Sequence, residues 1–124
     1  SIVVGVGYPS RAFFDGRRNF DFTPPGSADP DLDSDQQGGA EQFLHFLTDV
    51  VKSWVRERYS VDASRQALFG HSYGGLFVLH TLFTAPQSFN IYLAASPSIG
   101  FSNTVVMNEN VRLKQIPRGR RFGR

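Results

Sequence analysis

Five consecutive residues, Gly70-His71-Ser72-Tyr73-Gly74, dictate the backbone path at the middle of this 124-residue chain. They stand between a short apolar stretch, Gln66-Ala67-Leu68-Phe69, and a segment from Tyr73 to about Thr84 that reads as a helix. Gly-x-Ser-x-Gly at a strand-to-helix junction is the pattern of a nucleophile elbow, a turn so tight that the serine backbone is strained. Glycines two before and two after the serine, Gly70 and Gly74, are expected to let strand and helix approach without a clash, and Gly75 to relax the packing further. Such a turn lifts the Ser72 hydroxyl to the C-terminal edge of a parallel sheet, at a helix N-terminus that favours developing negative charge. The Tyr73 backbone N–H then becomes an oxyanion donor. The plainer reading is a glycine-rich turn in which Ser72 only caps the helix.

The surrounding pattern supports the first reading. Ile2-Val3-Val4-Gly5-Val6-Gly7-Tyr8 is a nearly continuous apolar run ending at Pro9, as in a strand buried on both faces. Residues 9–38 are polar and rich in Pro, Gly and Asp, and read as a long surface loop. Phe43, Phe46, Leu47, Val50, Val51, Trp54 and Val55 then fall at helical spacing, predicting an amphipathic helix from after Gly39 to about Tyr59. Pro86 stops the helix that follows Ser72, and Asn90-Ile91-Tyr92-Leu93-Ala94-Ala95-Ser96, closed by Pro97, predicts a third buried strand. Strand, helix, strand, helix, strand is the order of an α/β fold: a parallel sheet with flanking helices.

Composition excludes several alternatives. There is no cysteine, so neither a disulfide framework nor a thiolate metal site is available. The formal charge of +2 is divided unevenly: residues 1–110 carry −4, and six of the thirteen basic residues lie in 111–124. Residues 1–110 therefore read as one domain and 111–124 as a basic tail outside it. The tail alone is a poor reason to expect nucleic acid, and no run is long and apolar enough to span a membrane. The compartment is open. A full hydrolase sheet needs more chain than this, and opening at Ser1 in mid-strand suggests a missing N-terminal part.

A serine nucleophile needs a base, and the three histidines are poorly placed. His71 neighbours the nucleophile, where adjacent side chains diverge, and is expected to pack against the elbow. His80 lies eight residues along the helix, about 12 Å at the usual rise. His45 belongs to the earlier helix. Where the nucleophile elbow is used, the order is Ser, acid, His, with the His after the last strands. Those strands are not found in this sequence.

The chain resembles the esterase group of the α/β hydrolases, in particular the siderophore esterases, with relatives among S-formylglutathione hydrolases and mycolyltransferases. The resemblance is carried by Val4-Gly5-Val6-Gly7-Tyr8-Pro9, Arg18-Asn19-Phe20-Asp21-Phe22-Thr23-Pro24, Leu68-Phe69-Gly70-His71-Ser72-Tyr73-Gly74-Gly75-Leu76-Phe77 and Ala94-Ala95-Ser96-Pro97-Ser98-Ile99. It implies a partial α/β-hydrolase fold with Ser72 as the acylated nucleophile and the Tyr73 N–H in the oxyanion hole. It further implies that the first strand here is the fourth of the full sheet. The third strand, which lies between the fourth and fifth, would precede Ser1, together with the second oxyanion donor. The expected activity is hydrolysis of a carboxylic ester, by resemblance a siderophore-type lactone or ester with or without iron, and no cofactor is implied. The alternative is a catalytically dead remnant or binding module of the same fold.

Weaker signals remain. Asp29, Asp31, Asp33 and Asp35 alternate as in a calcium loop, but Gln36 and Gln42 stand where Gly and Glu would be required, so a solvated acidic loop is the reading and no metal is expected. Arg18 either pairs with Asp21 to fix the long loop or meets an anionic group of the substrate, a catecholate or carboxylate. Ser98, with Ser96, follows the last strand at the sheet edge as a candidate for lining the pocket, although Ser beside Pro is also ordinary turn chemistry.

Overall fold

The computed structural model describes residues 1–13, 15–25 and 34–97; Ser98, Asp29, Asp31, Asp33 and the basic tail lie outside the described residues. The elements are α1 (Arg17–Phe22), a 3-10 turn (Ser34–Gln36), α2 (Ala40–His45), a π-helical stretch (Phe46–Val51), α3 (Lys52–Arg58), β1 (Ala67–His71), α4 (Tyr73–Thr84), a second 3-10 turn (Pro86–Ser88) and β2 (Ile91–Ala95). β1 and β2 pair in parallel, with Ala67 opposite Ile91 and His71 opposite Ala95. Asn90 extends the ladder by one step: its side-chain oxygen accepts from the Gln66 N–H at 2.8 Å, and its own N–H donates to the Gln66 carbonyl at 2.8 Å.

The strand-helix-strand unit from β1 to β2 follows the sequence pattern closely. α4 ends at Thr84 because Pro86 disfavours helical backbone at Ala85, which sits at φ −143° and ψ 59°. The Tyr92 hydroxyl then pins the turn, accepting from the Phe89 N–H at 3.0 Å and donating to the Pro86 carbonyl at 2.9 Å.

Residues 40–58 form one helical run, interrupted by the π stretch. The Thr48 hydroxyl donates to the Leu44 carbonyl at 3.1 Å, a back-bond that competes with the regular ladder and favours a widened turn. The wider turn divides the apolar stripe. Leu47 and Val55 are buried, whereas Phe46, Val50 and Trp54 are exposed. Ala40, Leu47 and Phe77 form the core, with Phe22, Phe43, Leu44, Val51 and Leu68 packed around them.

Two expectations are corrected. Ile2 to Tyr8 forms no strand, and Val3 is 93% exposed. A strand is completed only by a neighbour's backbone groups, and among the described residues none is offered to this segment. The polar stretch 9–38 is not loop throughout, because it contains α1. One sheet face, holding Leu68, meets the core, while Phe69, Ile91 and Leu93 on the other face are exposed.

Candidate active site

The chemistry centres on the turn between β1 and α4. Ser72 has φ 60° and ψ −116°, one of two non-glycine residues with positive φ among those described. A serine held there costs on the order of 1–3 kcal/mol, so the surroundings must enforce it. They do so by hydrogen bonds on both sides. The Ser72 N–H donates to the Ala95 carbonyl at the end of β2, at 3.0 Å. The Ser72 carbonyl accepts the first helical bond of α4, from the Leu76 N–H at 3.0 Å.

Glycine makes the turn possible, in a manner that differs in part from expectation. A Cβ on Gly70 would fall on the backbone carbonyl of Gly74, so strand and helix touch at that point through bare backbone. A Cβ on Gly75 would sit 3.0 Å from the Pro97 Cα and 3.2 Å from the Ala95 carbonyl oxygen, which requires a small residue beneath the end of β2. Gly74 differs: a Cβ there would meet nothing within 4 Å among the described residues. Its contribution is the backbone on which Gly70 rests.

The capping alternative is not what the geometry gives, since the Ser72 side chain makes no cap hydrogen bond to α4. Tyr73 is the first residue of α4, so its N–H lies outside the internal helical ladder and beside Ser72, at the positive end of a twelve-residue helix. Ser96, just after β2, also has positive φ, at 44°, and stands at the same sheet edge.

Arg18 reaches this region from α1. Its guanidinium carbon is 5.2 Å from the centroid of the Tyr73 ring and 5.9 Å from that of Phe22. Asp21, the other half of the expected pair, accepts from the Tyr8 hydroxyl at 2.5 Å. Burial, and then the hydrogen bond to Asp21, push the Tyr8 phenol well above its ordinary range. Arg17 forks onto Asp15, with bonds of 2.9 and 2.7 Å, and these hold the Asp15 carboxyl far below the usual range. Sequence reasoning singled out neither contact: the first joins residues thirteen apart, and the second is a local fork at the start of α1.

Two open clefts flank α1. One of about 470 Å³ is lined by Gly16, Arg17, Phe20, Asp21, Asp35 and Gln36. The other, about 320 Å³, is lined by Tyr8, Asp21, Gln42, Phe43 and Phe46 together with Val6 and Gly7. Neither of these two clefts is lined by Ser72.

The histidines are dispersed. His71 ends β1 exposed to solvent, which corrects the expectation that it packs against the elbow. His80 is only 1% exposed, deep in α4, two turns beyond Ser72. His45 lies on the exposed side of α2, with Nδ1 3.4 Å from the Asp49 carboxylate. Among the described residues no cluster of three or more His, Cys, Asp or Glu could hold a metal ion, and no helix is long and apolar enough to cross a membrane.

Comparison with known proteins agrees with this fold. A family model described as "Putative esterase" matches residues 1–116. The siderophore enterobactin esterase of Emericella nidulans is 43% identical over 123 residues, covering 88% of this chain and 39% of that protein. The siderophore triacetylfusarinine C esterase of Aspergillus fumigatus is 45% identical over 111 residues, covering 87% of this chain and 37% of that one. Among solved structures, the BES protein from Bacillus cereus superposes with a TM-score of 0.79 at 38% identity, over 90% of this chain and 42% of that one. The chain thus spans about two-fifths of the length of the curated relatives it matches. A family model over residues 1–116, together with relatives at this identity and solved structures that superpose on most of the chain, makes this chain a member of the esterase family.

Proposed function

We propose that this chain carries the nucleophile of a serine esterase that hydrolyses siderophore-type esters or lactones through an acyl-enzyme on Ser72. The observation that carries this reading is the enforced backbone of Ser72, at φ 60° between β1 and α4. In that setting the Ser72 hydroxyl oxygen attacks the ester carbonyl. The Tyr73 N–H donates to the resulting oxyanion, which collapses to expel the alcohol. Water then cleaves the acyl-serine and releases the acid. The relatives' names support a siderophore as the substrate. Arg18, whose charge lies over the Tyr73 ring, is the group we assign to an anionic part of such a substrate. Ser98, outside the described residues, is kept as a proposed lining residue.

The base is the missing element. His71 is exposed, His80 is buried two turns along α4 and His45 on α2 pairs with Asp49, which supports assigning the base to a histidine supplied from outside this chain. A fluorophosphonate probe tests the reading directly. In a polypeptide extended to include that histidine, Ser72 is labelled, and Ser72→Ala lowers ester hydrolysis by about a thousandfold or more. Failure to label Ser72 in that polypeptide sinks the proposal.

The dispersed histidines also favour a second reading, a binding module that keeps part of the pocket without the base. An ester hydrolysis rate of the 124-residue chain that is unchanged by Ser72→Ala supports it.

A further inference from the structure

α1 has six residues, too few to hold a helix by itself, so its position depends on tertiary ties. At its far end those ties converge on one buried hydroxyl. Thr23 follows α1 directly, is fully buried, and is one of three buried polar or charged residues among those described. Its Oγ1 donates to the Asn19 carbonyl at 2.7 Å and accepts from the Gly38 N–H at 2.7 Å. Its own carbonyl accepts from the Ala40 N–H at 3.1 Å, and the Phe20 carbonyl accepts from the Gly39 N–H at 2.8 Å. Three successive amides at the N-terminus of α2, which have no acceptors within that helix, are thus satisfied by the end of α1. The fit is close: a Cβ on Gly39 would fall on the Phe20 ring.

The other face of α1 meets the elbow helix through two residue pairs of equal spacing. Arg18 and Phe22 are four apart on α1, and Tyr73 and Phe77 are four apart on α4. The Arg18 guanidinium lies over the Tyr73 ring, and the Phe22 ring centroid is 6.0 Å from that of Phe77. A shift at the Thr23 end of α1 therefore moves Arg18 relative to the residue that follows the nucleophile.

We propose that Thr23 is a positioning residue of the active site: its buried hydroxyl locks α1 to the start of α2 and so holds Arg18 over Tyr73 beside Ser72. The role in substrate binding rests on the esterase reading; the positioning of Arg18 does not. The test therefore has two arms. In the 124-residue chain, NMR reads the proximity of the Arg18 side chain to the Tyr73 ring through their cross-peaks, together with the ring-current shift of the Arg18 methylenes. Thr23→Val, which keeps the shape and removes the hydroxyl, is expected to abolish the cross-peaks and at least halve the shift. Thr23→Ser is expected to retain both, and Gly39→Ala to abolish them by displacing Phe20.

Kinetics in the active esterase supply the second arm. Thr23→Val is expected to raise KM for an anionic ester about tenfold, with a smaller change in kcat, and Thr23→Ser to restore it. Cross-peaks that survive Thr23→Val, cross-peaks equally absent from Thr23→Ser, or a fall in kcat at unchanged KM each overturn the proposal. If Thr23→Val fails to fold by circular dichroism, the contrast between Thr23→Ser and Gly39→Ala decides in its place: cross-peaks absent only from Gly39→Ala uphold it, and any other pattern overturns it. Hydrolysis unaffected by Ser72→Ala would defeat the esterase reading and leave the NMR arm intact.

Discussion

Two segments of this chain carry nearly the same apolar signature and meet different ends. Ile91 to Ala95 is a strand, paired along its length with β1 and bonded at its tip to the Ser72 amide. Ile2 to Tyr8 is as rich in apolar residues, yet is mostly exposed and is tied to α1 through the Tyr8 hydroxyl, which donates to Asp21. Composition favours a strand in both segments. Pairing decides which one forms, because backbone donors and acceptors must be met by a specific neighbour; burial is a separate matter, since β2 still leaves Ile91 and Leu93 half exposed on its open face. Enforced geometry at Ser72 is available only in the first region, where α4 and both strands converge.

The contrast can be pressed by substitution. In the elbow region, Leu76→Ala empties a fully buried site and is expected to cost about 2–5 kcal/mol, read from the urea midpoint. The comparable truncation Val3→Ala in the N-terminal segment is expected to stay within about 0.5 kcal/mol. Equal costs would erase the distinction. Gly70→Ala drives a methyl group onto the Gly74 backbone, and a loss of about 3 kcal/mol is expected, with Gly74→Ala costing less because its Cβ points into open space.

A smaller effect separates strain from chemistry. Ser72→Gly removes both the hydroxyl and the unfavourable φ, so it is expected to exceed Ser72→Ala in stability by about 1 kcal/mol in thermal or urea unfolding. Equal stability would mean that the turn is not strained. The smallest change belongs to the tether of the N-terminal segment. Tyr8→Phe removes one partly buried hydrogen bond and is expected to cost about 1 kcal/mol or less. Its pH signature is specific. The phenol pKa is raised in the folded state, so its contribution is fully present below the ordinary phenol value of 10.0 and fades as the pH rises toward the higher folded value. Wild-type stability should therefore fall more steeply above that pH than that of Tyr8→Phe.

The region from residue 66 to residue 95 was legible because its signals are local. The apolar run, the glycine before the serine, the helical stretch and Pro86 each act within a few residues, and β1, α4 and β2 appear within about a residue of expectation. The role of Arg18 was legible only as a pair of alternatives, since stacking on Tyr73 joins residues 55 positions apart. The π stretch was not legible: the spacing of apolar residues from Phe43 to Val55 fits a regular helix, yet Leu47 and Val55 are buried while Phe46, Val50 and Trp54 are exposed. The exposure of His71 likewise depends on which elements cover the end of β1.

By itself the sequence determined that a strained serine sits between a strand and a helix, with a backbone donor next to it, because the sterics of Gly70 and Ser72 act over a few bonds. Tertiary structure decided which apolar segment becomes a strand, where Arg18 lies, and that Thr23 joins α1 to α2. Those outcomes depend on hydrogen-bond partners and packing surfaces distant in the chain, which local propensity does not encode.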